Sequence, residues 1–463
     1  MSENLPSEFL TQLKKSFLDK QVYTEPSDCW AYGYDNSRKH ALPDAVIFAE
    51  SHEDVVNAIR MCYQHNIPIT ARGRGTNTTG ATVPVSGGVI LSIERMQKIL
   101  SIEPQNRIMI VEPGVLNQAA QIQAKEYNLF WPPDPTSSPY SCIGGNIGAG
   151  AGGPRAVKYG TVRENILGLT AVTGDGTTIH TGVHTTKGSV GYDLTRLIIG
   201  SEGTLAVVTQ AILKLLPIPE SKRTIRAFYN KMEGALEAVI KIMQQPIVPC
   251  GVEFMDGNAV SMIRNFSHPE LPEQAQSMLI IEVDGAERNI ESDVNEILNA
   301  LKNQNLIDTK VAATQEETNA LWKIRKSLSA SLRSLSPHKI NEDVIVPVGY
   351  LNELLVYTNQ LAKDFDIQIV NFGHAGNGNI HVNLLVDPFD PIKGPAAQKC
   401  LKLLFEKVLS LKGSLSGEHG VGMEKSPYIS MEVDKSTLQL MKNIKAQFDP
   451  KGILNPKKLF PLE

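Results

Sequence analysis

Between Arg72 and Gly80 the sequence RGRGTNTTG packs three glycines into nine residues directly behind the apolar run ITA. A chain built this way leaves a strand through bare backbone, and successive unhindered N–H groups there form a nest that fits a pyrophosphate. Taken alone, the stretch also reads as a plain surface turn. A second glycine-rich run, IGGNIGAGAGG at 143–153, narrows the choice. Within it Gly148, Gly150 and Gly153 satisfy G-x-G-x-x-G, and Asp175 lies near the spacing of a ribose-binding acid. A nicotinamide Rossmann site, however, needs an apolar strand before the glycines and an apolar helix after them, whereas SPYSCIGGN precedes and PRAVKYG follows. That reading is excluded, and without a G-x-x-x-x-G-K-S/T run a P-loop nucleotidase is excluded too.

The chain has 463 residues, too many for one ordinary domain and enough for two or three. With 42% hydrophobic and 20% charged residues it is neither disordered, collagenous nor a coiled coil. Forty-five basic and forty-nine acidic residues give a net charge of −4 with no long block of either sign, so no nucleic-acid partner is expected; small molecules are. Cys29, Cys62, Cys142, Cys250 and Cys400 are scattered, odd in number and form no CxxC, which fits a reducing compartment, the cytoplasm. The opening MSENLPSEFLTQLKKSF lacks the regions of a signal peptide, and the longest apolar stretch, 197–216, is interrupted by Glu202 and Lys214. No membrane span is therefore expected, while peripheral docking at a membrane stays open.

Ser51-His-Glu-Asp54 is a capping box, and Val55, Val56, Ile59 and Cys62 recur behind it at helical spacing, predicting a helix followed by a strand at 67–71. Short apolar runs with Gly-rich turns follow (VILSI, RIMIVEPG, LGLTAVTGDG, LAVVTQAILKLLP), the texture of an α+β domain. PIPES at 217–221 marks a domain boundary. Beyond it the strands TIRAFY and SMLIIEVDG alternate with helices near 232–244, 287–303 and 316–335. Near the end IQIVNFGH and IHVNLLV flank a Gly-Asn-Gly-Asn turn and predict an antiparallel hairpin, with two more helices after it.

In order along residues 40–217, RGRGTNTTG, WPPDPTSSPYSCIGGNIGAGAGGPRAVKYGTVRENILGL, VTGDG and GYDLTRLIIGSEGTLAVVT resemble the FAD-binding domain of the vanillyl-alcohol oxidase and p-cresol methylhydroxylase superfamily. The resemblance implies an α+β fold: an FAD domain of two subdomains at 1–217, then an α+β substrate (cap) domain and C-terminal helices at 218–463. It assigns FAD contacts to Arg72, Gly73, Arg74, Gly75, Thr76, Asn77, Asp134, Thr136, Cys142, Gly145, Ala149, Gly152, Gly203 and Val208. Some relatives link the flavin covalently through a histidine in the first Gly loop. Thr76 stands at that place, so noncovalent FAD is expected.

Three of the ten histidines, His374, His381 and His419, lie in Gly-rich contexts in the last quarter. The hairpin turn brings His374 and His381 together on facing strands, and two-residue periodicity puts Asn383 on the face of His381. Two neutral imidazoles and the Glu418 carboxylate form a suitable ligand set for a divalent metal, with zinc the fitting ion. Backbone-bonded histidines at a strand edge are the bland alternative. GHAGNGNIH and GEHG together resemble the metal and active-site motifs of FAD-linked D-2-hydroxy acid dehydrogenases, a group that includes D-lactate dehydrogenase and the FAD subunit of glycolate oxidase. Ala375 and Asn377 replace the Leu and Asp of many relatives, but neither is a proposed ligand. By the same resemblance Arg325 and Lys339 hold the substrate carboxylate; Ser329 shares the helix face of Arg325.

A flavin takes a hydride at N5, so the protein has to hold a C–H bond over that atom and remove the neighbouring hydroxyl proton. A 2-hydroxy acid suits this task, with His419 as the base and the substrate-binding set completed by Arg325, Ser329, Lys339 and Asn383. The expected activity is a D-2-hydroxy acid dehydrogenase, D-lactate first and glycolate next, with D-2-hydroxyglutarate the nearest rival. Other classes are a zinc hydrolase and a non-catalytic electron-relaying subunit. The electron acceptor (quinone, cytochrome or electron-transfer flavoprotein) has no short motif, and a homodimer is compatible with the sequence.

Overall fold

The computed structural model describes residues 5–266, 271–336 and 338–461, without the side chains of 265, 266, 329, 330 and 333–335. Its contacts divide the chain into two compact units. One takes the residues up to Gly152, Gly160–Ile218 and those from Glu418 onward; the other takes Gly153–Tyr159 and Pro219–Gly417.

In the first unit Ser51 caps the helix His52–His65: its side chain accepts the Asp54 amide, and Asp54 answers at the Ser51 amide. The apolar stripe Val55, Val56, Ile59 and Cys62 is buried in a core with Ile47, Ile69 and Leu91. Asn66 ends the helix in the left-handed region at φ 55°, which turns the chain into the strand Ile69–Arg72. That strand runs parallel to Val89–Ser92, which also pairs in parallel with Ala45–Phe48. A second, five-stranded antiparallel sheet is ordered Ile99–Glu103, Ile108–Val111, Ala206–Lys214, Ile166–Thr173, Thr178–Gly182.

The expected division at 1–217 and 218–463 groups the end of the chain differently from these contacts. Residues from Glu418 onward lie with the glycine loops because Leu454 bridges Ile69, and the buried Asn455 donates from Nδ2 to the Ala81 and Glu202 carbonyls at 2.9 and 2.7 Å. Lys445 adds bonds to the Thr204 and Leu454 carbonyls at 2.6 and 2.9 Å and an ion pair with Asp449.

The second unit is a seven-stranded antiparallel sheet ordered Leu306–Val311, Ser221–Tyr229, Ser277–Gly285, Gly251–Met255, Gln368–His374, Asn379–Leu385, Ile340–Ile345. The helices Gly257–Phe266 and Gln315–Leu335 share a core with it, in which Val260, Ile263, Leu328 and Leu332 meet Phe228, Met255, Ile280 and Phe372. Strand Gly251–Met255 had no signature in the sequence: it is five residues long, buried on both faces, and interrupted by Glu253.

Candidate active site

The loop Arg72–Gly80 departs from the strand end as the glycines require. Gly75 has φ +65°, and a Cβ on Gly73 would come 2.6 Å from the Cys142 sulfur. The amides of Gly73, Gly75 and Thr76 have no protein acceptor among the described residues, which leaves a row of N–H groups for an anion. Arg72 is buried, donating to the Tyr34 carbonyl at 2.6 Å and to Thr82 Oγ1 at 3.2 Å, and Arg74 pairs with Glu94 at 3.2 Å. Asn77 is the brace of the loop: its Oδ1 accepts the Thr79 amide and hydroxyl at 2.8 and 2.7 Å, and its Nδ2 donates to the His419 carbonyl at 3.0 Å.

The second glycine run folds as a short helix, Ile143–Ala149, behind the buried Cys142, and stops at Gly150 in the left-handed region. Its first amides are spoken for, Ile143 N–H by the Val115 carbonyl and Gly144 N–H by that of Pro113. Its exposed side is bare instead, since nothing lies within 4 Å of a Cβ built on Gly148, and Gly145 meets only the Cys142 sulfur at 3.5 Å. The buried Asn117 joins this helix to the WPPDPTS loop: Asn146 Nδ2 and Trp131 Nε1 donate to its Oδ1 at 3.0 and 2.9 Å, and its Nδ2 donates to the Pro133 carbonyl. Asp134 and Thr136 project from that loop, with Asp134 3.4 Å from Gln121 Nε2.

Gly203, at φ +72°, packs on Ala71, and Val208 is buried on the strand Ala206–Lys214. Just before Gly203 stands Glu202, whose buried carboxylate accepts the Val421 amide at 2.5 Å and the Gly422 amide at 2.9 and 3.0 Å. Burial pushes this carboxyl up to about 7, even though both amides and Lys458 and Lys425 favour its charged form. The turn carrying Glu418 and His419 is thereby held from within the same unit. The Glu418 side chain lies against Gly152, where a Cβ would sit 2.8 Å from its carboxylate oxygen.

In the second unit the hairpin Gln368–His374 to Asn379–Leu385 brings the imidazoles of His374 and His381 to a centroid distance of 5.3 Å at 86°. Each has a carboxylate directly opposite on the next strand, Glu253 for His374 and Asp343 for His381. Glu253 Oε1 is 2.5 Å from His374 Nδ1, and Asp343 Oδ1 is 3.9 Å from His381 Nδ1. The second Glu253 oxygen accepts Arg325 Nε at 2.5 Å, and the guanidinium lies 4.9 Å over the Phe372 ring. Burial raises the Glu253 carboxyl, but Arg325 and His374 outweigh it and hold it below the usual carboxylate range. Asp343 accepts Ser416 Oγ and the Gly417 amide at 3.0 Å each and Asn379 Nδ2 at 2.7 Å, fixing the residue just before Glu418. Lys339 Nζ donates to Asn383 Oδ1 at 3.0 Å, while the Ser329 side chain lies outside the described residues.

A family model described as FAD linked oxidases, C-terminal domain, matches residues 218–459, and one described as FAD binding domain matches 43–182. The chain belongs to the FAD-linked oxidase family. It is 39% identical over 430 residues to the glycolate oxidase subunit GlcD of Bacillus subtilis, covering 93% of this chain and 92% of that one. To the D-lactate dehydrogenase of Anaerostipes hadrus it is 31% identical, with 90% of each chain covered. The fold is that of p-cresol methylhydroxylase, whose substrate-bound crystal structure superposes with a TM-score of 0.78 at 17% identity over 97% of this chain and 96% of that one.

This FAD-linked oxidase has bare backbone in both of its glycine loops. The free amides of Gly73, Gly75 and Thr76 and the open side of Gly148 suit a pyrophosphate and a flat group approaching main chain. The donor chemistry of His374 and His381 suits a divalent ion such as zinc. Glu253 and Asp343 were missed in the sequence reading; the signal of Glu253 was a lone acid in the apolar run GVEFM, and that of Asp343 an acidic pair with Glu342 at the head of the apolar run VIV. Among the described residues no helix is long and apolar enough to cross a membrane, and all five cysteines are buried and unbridged.

Proposed function

We propose that this chain oxidises a D-2-hydroxy acid to the 2-oxo acid, D-lactate in preference to glycolate, and passes the electrons to a quinone, a cytochrome or an electron-transfer flavoprotein. The observation that carries the reading is the pair of imidazoles 5.3 Å apart beside a buried guanidinium that, among the described residues, is bound to protein through Nε alone. That grouping suits a small anion bearing a hydroxyl. The names of the relatives, glycolate oxidase subunit and D-lactate dehydrogenase, point to the same chemical class.

Bound FAD supplies the hydride acceptor, and a divalent metal supplies Lewis-acid stabilisation of the hydroxyl oxygen as its proton leaves. His374, His381 and Glu418 are the proposed metal ligands. The terminal amino groups of Arg325 receive the substrate carboxylate as a two-point contact, which fixes the face of C2 that is presented and so selects D over L. Lys339, steadied by Asn383, adds positive charge. His419 takes the hydroxyl proton on its ring. A second cation at Lys339 also suits a dicarboxylate such as D-2-hydroxyglutarate, and a substrate panel separates the two.

Anaerobic titration of the purified protein with D- and L-2-hydroxy acids tests the reading directly. D-lactate should bleach the flavin absorbance fastest, glycolate next, and the L-acids not at all. Bleaching by D-2-hydroxyglutarate alone would move the substrate class to dicarboxylates, and no bleaching by any of them would sink the proposal. The flavin is proposed to be noncovalent because Thr76 offers no imidazole for linkage. Acid precipitation should then leave the yellow colour in the supernatant; a yellow pellet would refute it.

A further inference from the structure

Glu253 is fully buried, yet nothing about the reaction proposed above requires a carboxylate at that place. An unpaired buried carboxylate is costly, so this one stands only because both of its oxygens are engaged, Oε1 with His374 Nδ1 and Oε2 with Arg325 Nε, each at 2.5 Å. We propose that Glu253 is a positioning residue that sets His374 and Arg325 for their work at once, an inference that rests on the metal and substrate roles assigned above.

The geometry of each partner follows from this one side chain. An acceptor at Nδ1 keeps the His374 proton on that nitrogen, so the Nε2 lone pair is the one left to bind a metal. An acceptor at Arg325 Nε fixes the roll of the guanidinium plane. With Phe372 4.9 Å beneath it, the plane has one resting orientation, and its terminal amino groups have no acceptor from the protein among the described residues. The three side chains are 0%, 6% and 9% exposed, so water cannot substitute for the missing partner if one is removed. Glu253 and His374 face each other in strand register, whereas Arg325 arrives from a helix, so one carboxylate ties a strand residue to a helix residue.

Glutamine at this position is nearly isosteric but presents one acceptor and one NH2 group in place of two acceptors. If the NH2 faces His374, the proton is driven to Nε2, the nitrogen needed by the metal; if it faces Arg325, two donors collide. Glu253→Gln should therefore weaken zinc binding about 10–100-fold, a usual loss for a partner of a metal-ligating histidine. It should also raise the D-lactate concentration that half-saturates flavin reduction by about tenfold, while the limiting rate at saturating zinc and D-lactate changes much less. FAD content should not change, since its loops come from other segments.

The test uses the full chain with bound FAD: zinc affinity by competition with a chromogenic chelator, and stopped-flow reduction by D-lactate at several concentrations. Glu253→Asp keeps the charge but is one methylene shorter, and should fall between wild type and Glu253→Gln in both affinities. Wild-type protein that binds zinc and is reduced, beside a Glu253→Gln variant within twofold on both affinities, overturns the proposal. Should Glu253→Gln fail to fold, wild-type affinities in Glu253→Asp overturn it equally. Wild-type protein that neither binds zinc nor is reduced by D-lactate instead overturns the parent reading, a result distinct from either.

Discussion

His381→Ala is expected to lose stoichiometric metal and nearly all turnover while keeping its FAD. The argument is one of ligand count. A catalytic zinc site is held by three protein groups with one position open for substrate, and two groups do not hold the ion at ordinary free concentrations. His381 is buried on a strand whose neighbours on both sides are paired, so truncation removes a proposed ligand without freeing the hairpin to supply another. Flavin is expected to stay bound, because the glycine loops at 72–80 and 143–153 are separate segments of the chain from the hairpin. Elemental analysis together with the flavin spectrum checks this. An active His381→Ala protein, or a metal-free active wild type, would require new roles for these residues.

His419→Gln should slow flavin reduction by D-lactate by about 10²–10⁴-fold, the usual loss when a general base is removed. Glutamine keeps a polar side chain of similar reach but cannot take a proton. The backbone around it should not move, because its carbonyl is held by Asn77 and the turn after it by Glu202, neither of which depends on the imidazole. Metal and flavin should survive in the variant, which separates a chemical defect from a missing cofactor. Stopped-flow reduction within about threefold of wild type, with metal still bound, would assign proton removal elsewhere.

The parts that could be read from the sequence are those whose signal is local. The capping box at Ser51–Asp54 and the stripe Val55, Val56, Ile59 and Cys62 determine their helix within a dozen residues. The hairpin around Gly376 and Gly378 likewise announces itself, with Gly378 in the left-handed region. Glu253 is the opposite case. An acid inside a five-residue buried strand contradicts its own neighbours, and what stabilises it lies 72 residues away at Arg325 and 121 away at His374. No window of sequence contains that compensation. Asp343 was hidden for the same reason, since its donors are Asn379, Ser416 and Gly417. The glycine helix Ile143–Ala149 escaped for a different one: with three glycines in seven residues it has little helical propensity, and it is held by Asn117 and by the carbonyls of Pro113 and Val115.

The return of the chain to Ile69 has a consequence for how the molecule is made. Asn455 bonds to the Ala81 and Glu202 carbonyls, and Leu454 bridges the strand that feeds the first glycine loop. All of Pro219–Gly417 is synthesised between those partners. On the ribosome, then, the second unit has its full sequence available while the first still lacks the segment that ties its glycine loops together, reversing the usual order in which the N-terminal part folds first. Flavin loading is then expected to be a late event in biosynthesis, and a nascent chain stalled before residue 449 should carry a formed seven-stranded sheet and no firmly held cofactor.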